Sequence, residues 1–173
     1  CKVLSGYFKN YIINISDRIL YITQNIYLYS ENRTLYNIIT ENDLNLNRND
    51  SKLFEIILED IIPFDDIIHS FDLDYKNIKL TNKSFSGGQE KRIYLAKWLY
   101  HLIVNINNYD ILILDEPDKS LDKQTFSKLL NNILTHDYFK NICIIIVSHN
   151  IENTDLFNKI LNIEKINNKL III

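Results

Sequence analysis

The sequence predicts an α/β fold layered on a parallel sheet, and three observations carry that expectation. Short, wholly apolar runs, Ile111–Leu114 and Ile142–Val147, alternate with longer segments of helical periodicity. Runs without a polar face suit strands covered on both sides, as in parallel sheets. Both runs end in residues with chemistry to offer, Asp115-Glu116 and Ser148-His149. The C-terminal edge of such a sheet is where ligands bind.

The elements follow in order. Arg18–Thr23 is a short β-rich run and reads as a buried strand, with Gln24 and Asn25 directly after it. Thr34–Ile39 reads as a short helix, and the Asn-rich stretch 42–50 as a loop. Ser51 can cap a helix from Lys52 to about Ile61, with Phe54, Ile57 and Leu58 at helical spacing. Pro63 ends it, and Asp65–Phe71 reads as another short helix. The block from 31 to 82 therefore looks like a helical insertion between strands. Ser86 precedes a long helix over 87–104, with Ile93, Ala96, Trp98, Leu99 and Leu102 on a broad apolar face. Lys123–Leu134 is expected to be a helix after Asp122, and Glu152–Phe157 a short one. Lys159–Glu164 and Lys169–Ile173 read as a terminal hairpin turning at Asn167-Asn168.

Composition narrows the function. The 173 residues suit one domain, and 46% are apolar, enough for a packed core. Net charge is −3, so nucleic acid is disfavoured as the main ligand. Cys143 lies in an apolar run and reads as a small core residue, which argues against a disulfide framework and for a reducing compartment. No apolar run is long enough to span a bilayer. No methionine stands at position 1, so the chain is expected to begin inside a longer product.

Three motifs carry the chemistry. Ser86-Gly87-Gly88-Gln89 sits at an expected helix N-terminus, whose unpaired N–H groups can receive phosphate oxygens. Taken alone it is equally a glycine-rich helix cap; its company raises the functional reading. Asp115 at a strand end can hold Mg²⁺, and Glu116, pointing the other way, can polarise an attacking water. A neutral His149 can contact a terminal phosphate or hold the water-activating carboxylate. Gln24, at the end of the first strand, can reach a metal or water. His69, His101 and His136 lack such context and read as surface residues.

With these motifs in this order, the chain resembles the nucleotide-binding domain of an ATP-binding cassette protein. Phe85-Ser-Gly-Gly-Gln89 resembles the family signature, Asp115 and Glu116 the Walker B aspartate and catalytic glutamate, Ser120-Leu121-Asp122 the D-loop, and His149 the switch histidine. Tyr21-Ile-Thr-Gln24-Asn25 and the aromatic text after it resemble the Q-loop of exporter-type cassettes. The match covers nearly the whole chain. It implies a P-loop NTPase-like parallel sheet with a helical signature subdomain over about 31–105 and a catalytic lobe from 1–30 and 106–173. The implied cofactors are ATP and Mg²⁺. The implied partners are a second cassette, head to tail, and a transmembrane domain in the same or another chain, at the cytosolic face of a membrane. Catalysis would fall to Glu116, His149 and Gln24, metal binding to Asp115 and Gln24, and nucleotide contact to Ser86, Gly87, Gly88, Gln89 and Asp122.

The chain also departs from the family pattern. No Gly-x-x-x-x-Gly-Lys loop precedes Gln24, where Gly6 is the only glycine. Either the chain starts just after that loop, which the missing initiator favours, or the protein is a degenerate, non-catalytic cassette. In either case these 173 residues alone are expected to bind ATP weakly. Lys91 stands where glutamine is common, Lys97 where arginine is, and Asp118 where a small hydroxyl residue is. The alternative functions are a soluble cassette acting on ribosomes or nucleic acid, and a regulatory binding partner.

Overall fold

The computed structural model describes residues 17–25, 33–40, 51–64, 85–149, 154–161, 163–166 and 169–172. The loop expected over 42–50, the helix over 65–71 and the hairpin turn at 167–168 lie outside them, as do Cys1, Gly6 and His69. The described elements are β1 (Ile19–Ile22), α1 (Leu35–Thr40), α2 (Ser51–Ile56), α3 (Gly87–Val104), β2 (Ile111–Asp115), α4 (Lys123–Thr135), β3 (Cys143–Val147), β4 (Ile163–Ile166) and β5 (Lys169–Ile172). Strands β1, β2 and β3 form one parallel sheet in that order, and β4 and β5 pair antiparallel. The chain is thus α/β with a parallel sheet.

The register matters for everything that follows. Tyr21 pairs with Ile113 and Ile22 with Leu114, while Asp115 pairs with Val147. All three strands end at the same edge, so the residues just beyond them, Gln24, Glu116 and His149, share one neighbourhood.

Helix α3 is the centre of the packing. Its start is set by a capping box: the Ser86 hydroxyl accepts from the Gln89 N–H, and the Gln89 side chain accepts from the Ser86 N–H. It buries Ile93, Leu95, Ala96, Leu99 and Leu102, with Trp98 only partly covered, and it also buries Lys91 and Arg92. Arg92 donates from Nη1 to the Pro63 carbonyl at 2.6 Å and from Nε to the Gly88 carbonyl at 3.4 Å. It thereby ties α3 to the end of the preceding helical block. Phe54, Ile57, Ile61, Leu112, Leu114, Leu129 and Ile133 join the same core.

Several expectations need correction. The helix expected over 52–61 is α-helical only to Ile56 and widens to a π turn over Ile57–Ile61, where the Ile62 N–H reaches the Ile57 carbonyl at 2.9 Å. The wider turn keeps Ile57, Leu58 and Ile61 all buried, and Asn132 of α4 donates to the Ile61 carbonyl at 3.1 Å. Of the helix expected over 152–157, residues 152–153 lie outside the described ones and Thr154–Leu156 form a 3₁₀ turn; of the hairpin strand expected from Lys159, residues 159–161 are not in a strand and Ile163–Ile166 are. Strand β3 is not covered on both faces: Cys143 is exposed, Val147 is 41% exposed, and the three isoleucines between are half-buried. Among the described residues β3 is an edge strand, and apolar composition does not by itself supply a cover. His101 and His136 are half-buried rather than surface residues. His101 bonds the Tyr109 hydroxyl at 2.9 Å, and His136 accepts from the Tyr138 N–H while stacking on its ring.

Candidate active site

The site is built by strand register and by one unusual turn. Glu116 follows β2 with φ 46°, and Ser120 has φ 69°. Neither is glycine, and such backbone costs about 1–3 kcal/mol per residue unless the surroundings impose it. Here they do. The Glu116 N–H bonds the Val147 carbonyl at 2.8 Å, continuing the sheet, while its carbonyl accepts from the Lys119 N–H at 3.2 Å, closing the turn.

The turn aims Glu116 at its neighbours. Gln24 donates from Nε2 to Glu116 Oε2. His149 Nε2 lies 3.3 Å from Glu116 Oε1, and Lys119 Nζ lies 3.9 Å from Oε2. Residues from three strand ends, far apart in sequence, therefore meet on one carboxylate. Glu116 is partly covered, with its side chain 26% exposed, while that of His149 is 83% exposed.

Asp115 points elsewhere. Its Oδ2 accepts from the Tyr21 hydroxyl. The sequence places Tyr21 in the segment that resembles the Q-loop but assigns it no role at the site. Its register partner Ile113 sits two residues before Asp115, so both side chains fall on one face as diagonal neighbours; without the register nothing marks it. The Tyr21 pKa is pushed up to about 12, first by its hydrogen bond to Asp115, then by burial and by the Asp115 charge.

The signature segment lies beside the same turn. The N–H of Gln89 is used in the capping box, which leaves the N–H groups of Gly87 and Gly88 at the open end of α3. The Ser86 hydroxyl accepts in that box and retains its own proton to donate. Gly88 has a second reason to be glycine: a Cβ there would sit 2.8 Å from the Ser120 carbonyl oxygen. At Gly87 the nearest atoms would be at an ordinary 3.7 Å. Asp122 caps α4, accepting from the Thr125 hydroxyl and N–H. Those bonds hold its carboxyl below the usual range.

Among the described residues no group of three or more His, Cys, Asp or Glu forms a metal cage. Asp115 and the Gln24 amide offer hard oxygens at one strand edge. That suits Mg²⁺, which keeps most of its waters and takes one or two carboxylates together with phosphates. The residues fit the metal as a nucleotide-borne ion.

No protein-family model matches the chain. It is 38% identical over 78 residues, 45% of its length, to the glutathione/L-cysteine transport system ATP-binding/permease protein CydC of Haemophilus influenzae. It is 32% identical over 135 residues, 77% of its length, to ABC transporter C family member 14 of Dictyostelium discoideum. The chain belongs to the ATP-binding cassette family. A third cassette protein, a probable metal transport system ATP-binding protein of Thermotoga maritima, is 40% identical over 72 residues, 40% of the chain. The matched parts are 12%, 10% and 26% of these three relatives. As a cassette, the chain carries a family-type α/β sheet. Among its described residues no helix is long and apolar enough to cross a membrane.

Proposed function

We propose that this chain is a nucleotide-binding part of an ABC transporter, binding and hydrolysing ATP to drive transport. The observation that carries the reading is the convergence of Gln24 and His149 on Glu116 at the sheet edge. In this reading Glu116 takes the proton of the attacking water. Gln24 fixes one of its oxygens and, with its proton on Nε2, His149 donates to the other. Such an arrangement orients the base. Asp115 would hold Mg²⁺, with Gln24 assisting; the ion would neutralise charge gathering on the phosphate oxygens.

Ser86, Gly87, Gly88 and Gln89 would receive ATP held mainly by a second cassette, with Asp122 at the seam between the two. The open N–H groups of Gly87 and Gly88 support that role. The helical portion over about 31–105 would form the signature lobe, and 1–30 with 106–173 the catalytic lobe. A transmembrane domain, on this chain or another, would take up the motion at the cytosolic face of a membrane. The names of the relatives support transport, and a net charge of −3 does not favour nucleic acid.

The test is Glu116→Gln in the full-length protein. Hydrolysis should fall by about 10²–10⁴-fold, the usual contribution of a general base, while ATP binding persists. Unchanged steady-state hydrolysis would remove Glu116 from its role, and loss of binding as well would point to a structural one.

A further inference from the structure

Strand β1 and the residues just beyond it send two hydrogen-bond donors to the end of β2, one for each carboxylate. Gln24 donates from Nε2 to Glu116 Oε2. Tyr21, three residues earlier, donates from its hydroxyl to Asp115 Oδ2. The parallel register permits both, because Tyr21 pairs with Ile113, two residues before Asp115. Leu20 and Ile22 anchor β1 in the core, while Tyr21 stands on the opposite face and is 36% exposed. Its ring therefore adds little to the core, and its hydroxyl is the part that meets a functional group.

We propose that Tyr21 is a positioning residue for the metal: its hydroxyl holds Asp115 in one orientation, turned away from Glu116, so that the carboxylate is already aimed when Mg²⁺ arrives with the nucleotide. Asp115 and Glu116 are consecutive residues of like charge with different tasks in the proposed chemistry. The turn at Glu116, with φ 46°, sends that side chain to Gln24 and His149. Tyr21 does the complementary thing for Asp115. A hydrogen bond to an ionised acceptor is roughly twice as strong as a neutral one, enough to fix a side chain of two torsions. With Oδ2 taken by Tyr21, Oδ1 is left to serve the ion or one of its waters. A hydroxyl suits this position because it carries no charge. It orients Asp115 without neutralising it, where a lysine would compete with the cation. Carboxylates that bind metal ions are commonly held in this way by a neighbouring donor.

This inference deepens the ATP-hydrolysis reading and rests on it. The experiment uses the full-length protein and its variants Tyr21→Phe, Tyr21→Leu and Asp115→Asn. Each is titrated with a fluorescent, non-hydrolysable ATP analogue, once in Mg²⁺ and once in EDTA. Tyr21→Phe removes only the hydroxyl and should weaken binding in Mg²⁺ by about tenfold, the lower end of the loss seen when a metal ligand's partner is removed. Binding in EDTA should shift by less than about twofold, because no metal is then involved. The Mg²⁺ concentration for half-maximal hydrolysis should rise by about tenfold, with kcat at saturating Mg²⁺ within about threefold of the parent. Equal affinities of Tyr21→Phe and parent in Mg²⁺ would overturn the proposal. So would a loss of the same size in EDTA, which marks a nucleotide contact or a general structural role. A defect confined to Tyr21→Leu would overturn it too, since the ring and not the hydroxyl would then hold the strand. If Mg²⁺-dependent binding by the parent is itself insensitive to Asp115→Asn, the assignment of the metal to Asp115 fails and this inference falls with it. If it is sensitive to Asp115→Asn yet indifferent to Tyr21→Phe, the inference alone fails.

Discussion

Strands β2 and β3 are neighbours of nearly the same composition, Ile-Leu-Ile-Leu-Asp and Cys-Ile-Ile-Ile-Val, yet they are used differently. Strand β2 lies between two others, and Leu112, Ile113 and Leu114 are all buried. Its end is held on several sides: Tyr21 on Asp115, Gln24 on Glu116, and α3 against Ser120. Strand β3 is an edge among the described residues, and its end carries the exposed His149. The difference teaches that burial belongs to a strand's place in the sheet. It also separates two kinds of functional side chain: carboxylates preset by the fold, and a histidine held chiefly by its contact with one of them.

The comparison can be broken most sharply by truncation. Leu112→Ala should cost about 2–5 kcal/mol, the usual loss for a filled core site, while Ile145→Ala on β3 should cost clearly less. Urea unfolding of the two variants measures both, and equal losses would mean that β3 is covered as well as β2. The clamp on the β2 turn is tested next. Gly88→Ala should cost about 1–3 kcal/mol because its methyl group meets backbone, while Gly87→Ala should stay within about 0.5 kcal/mol. A difference of the opposite sign in thermal melts would show that α3 does not press on Ser120.

The exposure of β3 is sharpened by chemistry. Cys143 should be alkylated in the native protein at a rate near that of the denatured chain, read by peptide mass spectrometry. Protection would mean that something covers the strand. The smallest effect concerns the cap after the β2 turn. Folding lowers the Asp122 carboxyl pKa below its ordinary value of 3.8 through the Thr125 bonds. Its cap is therefore fully present above that value and is lost as pH falls through the folded one. Asp122→Ser, whose cap does not titrate, should lose less stability than the parent on acidification below about pH 4. Parallel acid limbs in the two proteins would remove that contribution.

Much of this was legible beforehand because it is local. The start of α3 follows from Ser86 and Gln89 at capping-box spacing, and the start of α4 from Asp122 ahead of Thr125. The apolar runs place β2 and β3 to within a residue. What was misread is non-local. The π turn at Ile57–Ile61 serves packing against α3 and α4, and no propensity announces it. Cys143 was assigned to the core from its apolar neighbours, a rule that holds only when a partner layer lies over the strand. The sequence gives Tyr21 no role because its meeting with Asp115 depends on register, which parallel strands inherit from their crossovers rather than from a turn between them.

The sequence by itself determined which groups are available and in what order: two carboxylates after one strand, a histidine after another, a glutamine after a third, and a glycine pair opening a capped helix. Those are properties of short segments, set by capping and apolar runs. Only the tertiary structure decided that Gln24, Glu116 and His149 share one point, that Gly88 serves the contact with Ser120, and that Lys91 is buried. Each of these depends on strand register and helix docking, which the whole core fixes at once.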